Sequence, residues 1–295
     1  MNRRTFLNTG LIATTALAAA PAPNPTAAQI IDRVRKNVGV PWRAQTVDNV
    51  IAGNPDTPVR GIASTMMATL DVLQRSAAAG LNLVITHEPT FYLHQDTADT
   101  LTNNPVFKFK TAFIRQHDMV IFHFHDHWHA HHPDGIAEGM SRALGWEKNV
   151  VDPADPREFT FPPTPLARFA QQIASRLHIR AMRVVGDPAL PVRRVATSWG
   201  YLSRDPGIQL LARPEIDAVV CGETREWEVV EYAQDAVAAG QKKALILMGH
   251  VVSEESGMKY CAEWLKSFIT EVPVEFIPAP EPFWLPSLPP GPAGA

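Results

Sequence analysis

Three separate groups of residues carry donor atoms suited to metal ions. His87-Glu88-Pro89 closes the apolar run LNLVIT, the block from His123 to His132 packs six histidines and Asp126 into ten residues, and His250 precedes Glu254 in GHVVSEESG. Imidazole and carboxylate donors without a thiolate suit Zn, Fe or Mn. Adjacent side chains do not easily face one ion, so His87 and Glu88 are expected to serve two ions, which two-metal sites hold about 3.5–4 Å apart. Glu254 lies four residues before Met258, on the stripe Met258, Cys261, Leu265, Phe268. It should therefore turn inward, where a carboxylate without a cation is costly. With His250 one turn back, a metal is the cation that fits; the plainer alternative is a glutamate stabilised by the dipole at a helix start.

The histidine block reads as a strand in its first residues, with His123 and His125 on one face and Phe124 and Asp126 on the other. It resembles the HxHxDH pattern of metallo-β-lactamase-like hydrolases without matching it, because the aspartate falls one position early. An HxH pair also occurs in amidohydrolase barrels, but this length has no eightfold strand–helix series. Six histidines exceed one ion's first shell, and His131 and His132 read as adventitious surface binders. Of the block's histidines, His125 is a candidate ligand.

The elements that must position these groups are short apolar runs alternating with helical patterns, which argues for an α/β fold with mixed or parallel sheets. Strands are expected over 60–66, 81–86, 119–125, 182–185, 192–198, 218–221, 243–248 and, briefly, 274–277. Helices are expected over 68–79, over 165–177 behind the cap-like Thr164, over 226–239 and over 253–268. Three of the strands run into His87, the histidine block and His250, and ligands gather outside the carboxyl ends of strands in such sheets. VRGIAST at 59–65 is echoed by VRRVATS at 192–198, and a strand ending in His87-Glu88 or Gly222-Glu223 follows each at similar spacing. This predicts two repeated units, about 40–155 and 160–280, with the site between them.

Apolar residues are 45% and charged residues 19% of the 295, with a net charge of -3. That composition is globular and has no basic excess for a phosphate backbone, so nucleic-acid binding is disfavoured. The start, MNRRTFLNTGLIATTALAAAPAPNPTAAQ, has the basic, apolar and small-residue regions of an export signal over 1–28, with a cut before Gln29. Arg3-Arg4 followed by Thr5-Phe6-Leu7 resembles the twin-arginine type, which predicts a periplasmic or secreted protein; the alternative is an ordinary secretory signal. No later apolar run reaches 18 residues, so no membrane association is expected after signal removal. Residues 281–295 form a proline-rich tail. An oxidising compartment would allow Cys221 and Cys261 to pair, but two small buried thiols are the simpler expectation.

Taken together, VDN around Asp48, ATLD at 68–71, ITHEP, a strand running into aspartate, GE after a strand and GHxxxE resemble the NIF-three-like family, also labelled GTP cyclohydrolase type 2-like. The resemblance spans about 47–263. It implies an intertwined α/β fold of repeated units with mixed sheets, two divalent metal ions per subunit and commonly a homohexamer. By matched position the family's HHP element falls on His87 and Glu88, a carboxylate replacing the second imidazole. Its strand-end aspartate falls on Asp126, and its last histidine and glutamate fall on His250 and Glu254. Glu223 matches the acidic residue of the [T/C]G[D/E] element, as a proton-transfer or outer-shell group. Asp126 or Glu254 would bridge the metals. The expectation is hydrolysis of a small molecule, a cyclic amide or phosphorylated metabolite, by water that the metals acidify. No glycine loop for phosphates singles out a nucleotide. The alternative is a non-enzymatic metal storage or delivery protein.

Overall fold

The computed structural model describes residues 23–286, so most of the expected leader and the last nine residues of the tail lie outside the described residues. Two mixed sheets form the framework. In the first, β1 (Val50–Ala52) pairs antiparallel with β4 (Val120–His123), followed in parallel by β3 (Leu83–Glu88), β2 (Ile62–Met67) and β11 (Val274–Phe276). In the second, the order is β5 (Val150–Asp152), β6 (Asp155–Pro165), β8 (Pro191–Tyr201), β9 (Ala218–Glu223), β10 (Ala244–Leu247) and β7 (Arg183–Val185). Here β8, β9 and β10 run parallel and the others antiparallel. The α/β class with two mixed sheets is as the sequence indicates.

VRGIAST runs into β2 and VRRVATS into β8, and each is followed in parallel by a strand that ends in a carboxylate, β3 or β9. The two units exchange their edges. Strand β11, near the end of the described chain, pairs with β2 in the first sheet, while β5 at 150–152 joins the second. The two sheets are therefore interlocked along the chain.

Covered strands are apolar on both faces, and every residue of β3 is buried, including His87 and Glu88. Helix starts carry side-chain caps that supply acceptors for free N–H groups. Thr69 caps α2 (Leu70–Ala78), Asn104 caps α3 (Pro105–Gln116), and Asp134 caps α5 (Gly135–Leu144). Thr164 does not cap α6 (Leu166–Leu177): its hydroxyl donates to Pro162 O, and Leu166, Phe169 and Ile173 secure the helix by burial. Helix α7 spans Arg204–Ala212, and a π-turn at Glu226–Val230 leads into α8 (Glu231–Ala238).

Differences at the element ends matter most near the site. Strand β4 stops at His123 because a short helix, α4 (Asp126–Ala130), starts immediately, so the alternation does not reach His125. Helix α9 (His250–Lys266) starts three residues early: Gly249, at φ 93°, turns the chain directly from β10 into the helix and puts His250 on it. Helix α1 (Ala27–Asn37) is closed by a capping box between Thr26 and Gln29, with Ala27 fully buried and bonded through N–H to Thr57 O. A cut before Gln29 would remove that box. Cys221 and Cys261 are free and buried.

Candidate metal centre

The carboxyl ends of parallel strands from both sheets meet at one place. Strand β3 delivers His87 and Glu88, β4 and α4 deliver His125 and His129, β9 delivers Glu223, and the start of α9 delivers His250 and Glu254.

Four imidazoles share one arrangement: an oxygen acceptor takes Nδ1 and leaves Nε2 as the free donor atom. The acceptor is Phe124 O for His87 (3.3 Å), Asp126 Oδ1 for His125 (3.1 Å), Asp134 Oδ2 for His129 (3.0 Å) and Glu223 Oε1 for His250 (3.0 Å). Metal-binding histidines are oriented in this way. The free nitrogens face carboxylates. His87 Nε2 is 3.8 Å from Glu254 Oε1, while His250 Nε2 is 3.2 Å from Glu254 Oε2 and 3.3 Å from Glu88 Oε1. Donor atoms of His87, Glu88 and Glu254 lie within 4.8 Å of one another, and so do those of His87, His125 and His129. His87 Nε2, His250 Nε2 and Glu254 Oε2 are buried without a hydrogen-bond partner. Buried polar atoms are rarely left so, and imidazole and carboxylate donors gathered in this way suit divalent cations.

From the end of one strand His87 reaches toward Glu254 and Glu88 toward His250. Glu254, 2% exposed, presents one oxygen to each side. Asp126 stands behind His125 instead. Its Oδ2 accepts from Thr46 Oγ1 at 2.9 Å and Val47 N at 3.3 Å, and the place beside His87 belongs to His129. The i, i+4 spacing of His125 and His129 was the available signal, since a one-turn helix brings such residues to one face. Glu223 is an orienting partner of His250.

Residues outside the donor set hold it in place. Asp48, fully buried, accepts from the backbone N–H of His125, Asp126 and His127 and lies 2.6 Å from His127 Nδ1. His127 Nε2 in turn accepts from Arg43 N, and its ring stacks on Trp42; its nitrogens are spent on structure. Asp134 caps α5 with one oxygen and orients His129 with the other. Gly200 in β8 has no room for a side chain: a Cβ there would sit 2.3 Å from Glu254 Oε1 and 3.0 Å from His250 Nε2.

Electrostatics follow from this packing. Burial disfavours charge on His250, but the carboxylates of Glu223, Glu254 and Glu88 push its pKa up to about 12. Burial works to raise Glu254, yet His87 and His250 hold it well below the usual carboxylate range. Burial, reinforced by His87 and His129, lowers His125 to about 2, so that ring is neutral. Burial opposes charge on His129, which Asp134 nonetheless raises. Beside the centre, His129 and Asp134 line a cavity of about 600 Å³ whose wall includes Arg157, Trp199 and Arg213.

The sequence profile of Duf34/NIF3 (NGG1p interacting factor 3) matches residues 26–282. The chain belongs to this family. Solved structures share the fold of this Duf34/NIF3 chain at low identity. Staphylococcus aureus hypothetical protein SA1388 is 17% identical, with a TM-score of 0.70 over 89% of this chain and 99% of that one. A Bacillus cereus protein related to NIF3 is 15% identical, with a TM-score of 0.67 over 90% and 100%. Reduced HcgD from Methanocaldococcus jannaschii is 17% identical, with a TM-score of 0.63 over 88% and 99%. A search of curated protein sequences finds no match.

Proposed function

We propose that this cluster holds two divalent metal ions and that the protein is a metal-dependent hydrolase of a small molecule. The observation that carries the reading is the set of three buried, unpartnered donor atoms gathered about the Glu254 carboxylate, His87 Nε2, His250 Nε2 and Glu254 Oε2. His87 and His129, with His125 alongside, would hold one ion, Glu88 and His250 the other, and Glu254 both. With imidazole and carboxylate donors, Zn, Fe or Mn are the ions that fit. Such a pair supplies Lewis-acid polarisation and an acidified water.

The chain's own residues support that chemistry by orientation and access. Asp134 and Glu223 fix the rings of His129 and His250, and Gly200 lets β8 approach the centre closely. The neighbouring cavity offers room for a metabolite-sized substrate, with Arg157 and Arg213 in its wall. A cyclic amide or a phosphorylated metabolite fits that class. Export by the twin-arginine route to the periplasm, and assembly into a homo-oligomer such as a hexamer, belong to the same reading. Among the described residues no helix is long and apolar enough to cross a membrane.

The test is ion counting on protein from its native compartment, followed by a panel of cyclic amides and phosphoesters. The expected result is two ions per chain, lost in His250→Ala and Glu254→Gln, with turnover lost in parallel. Two ions without turnover on any substrate would favour the storage or delivery reading; one ion or none in wild type would overturn the centre.

A further inference from the structure

Four donor residues beside the centre are not absorbed by it: His94, Asp96, His123 and Asp126. Donor atoms of His94, His125 and Asp126 lie within 4.8 Å of one another. His125 Nδ1 and Asp126 Oδ1 are 3.1 Å apart, about the spacing of two ligands on a tetrahedral ion with bonds near 2.0–2.1 Å. The His94 ring meets His125 edge-on, with centroids 4.7 Å apart, and His123 at 5.9 Å. His123 is fully buried with neither ring nitrogen hydrogen-bonded. Its Nδ1 lies 3.3 Å from Asp96 Oδ2, itself buried and unpartnered. Two orphaned groups behind a three-donor cluster are an unusual concentration of unmet polar demand.

We propose a further metal position outside the central pair, with His94, His125 Nδ1 and Asp126 as ligands and the buried His123–Asp96 pair behind it. An ion there replaces the proton between His125 and Asp126. Two imidazoles and one carboxylate, with a coordination position left for water, suit Zn²⁺ and its neighbours in the transition series. His125 belongs to both neighbourhoods: Nδ1 meets this ion, while Nε2 lies 4.0 Å from Glu88 Oε1 and the ring stacks on His87. The outer ion is therefore one imidazole away from the central donors. His94 is only partly buried, so the position opens toward solvent, and it fills more weakly than the buried centre.

The experiment is Zn²⁺ titration of chelator-stripped full-length chain, read by calorimetry and by ion counting after buffer exchange at several free Zn²⁺ levels. Wild type is expected to show one saturation step beyond the central ions. His94→Ala should lose that step or weaken it at least tenfold while keeping the central ions and the melting temperature. Asp126→Asn should also weaken it, and His250→Ala should retain it while losing central ions, which separates this position from the function proposed above. His131→Ala/His132→Ala should leave the step unchanged. An unaltered step in His94→Ala, or its disappearance only in the His131/His132 variant, overturns the proposal.

Discussion

Gly200→Ala adds one methyl group and removes no metal donor, yet it should abolish tight metal binding. The Cβ would sit 2.3 Å from Glu254 Oε1 and 2.8 Å from its Cδ. Contact near 3.4 Å or more is ordinary, so the carboxylate must retreat by about 1 Å, and a site that far out of place loses its function. Gly200 also has φ 75°, a conformation costing a side chain about 1–2 kcal/mol. Gly80 separates the two effects: it has φ 77° and open space where its Cβ would go. Gly80→Ala should therefore lower the melting temperature by several degrees and keep the metal content of the wild type, given about 2–4 °C per kcal/mol at this size. Gly200→Ala should show a similar or larger loss of stability in metal-free protein and hold no tightly bound ion. The assay is ion counting together with thermal unfolding, with and without Zn²⁺, for both variants. Full ion content in Gly200→Ala would refute the placement of Glu254 between the two sides.

Other outcomes follow from single contacts. Glu223→Gln keeps an acceptor for His250 Nδ1 but loses its charge, and Zn²⁺ affinity on the His250 side should fall about 10–100-fold, measured by competition with a chelator dye. Burial raises Glu255 to about 7. The folded state then binds more protons than the unfolded one between about pH 4.5 and 7, so stability falls as pH rises through that window. Glu255→Gln should consequently stabilise by about 1–3 kcal/mol at pH 8 and by almost nothing at pH 4, read by denaturant unfolding. For export, intact mass of the processed chain should place its first residue before Thr26, since Thr26 and Ala27 belong to the folded body; a mature start at Gln29 would contradict that.

What the sequence made legible was whatever repeats along it. The positions of His87, Glu223 and His250 at or just after strand ends follow from apolar runs giving way to polar residues, and VRGIAST against VRRVATS reflects the matching parallel pairs β2–β3 and β8–β9. Helix starts that depend on one backbone turn were less visible: Gly249 moves the start of α9 from Ser253 back to His250. The place of His129 beside His87 has a similar origin. Period-two alternation extends β4 on paper, but Asp48 gathers three successive backbone N–H groups and folds the next residues into α4. That acceptor lies 77 residues before His125, so no local pattern announces it. His127, whose role the sequence leaves open, is a structural ring for the same reason.

Helix α9 explains why the centre and the interlock of the two units belong together. It packs against α5 where Gly139 and Gly257 permit contact too close for a Cβ. Trp128 Nε1, from the histidine block, donates to Gly257 O, and Ser64 Oγ, from β2, donates to Met258 O. On the other side Gly200 N, from β8, donates to Ser253 Oγ. The helix that carries His250 and Glu254 is thus fixed by both sheets, and the facing donors His87, Glu88 and His129 come from the first. A cation held by both sets resists separation of the units, because the unfolded chain cannot present these donors together. Binding must then raise stability as RT ln(1 + [L]/Kd), about 2.7 kcal/mol at a hundredfold excess over Kd. Variants that loosen the α5–α9 contact, such as Gly257→Ala, should weaken metal affinity although no donor is touched.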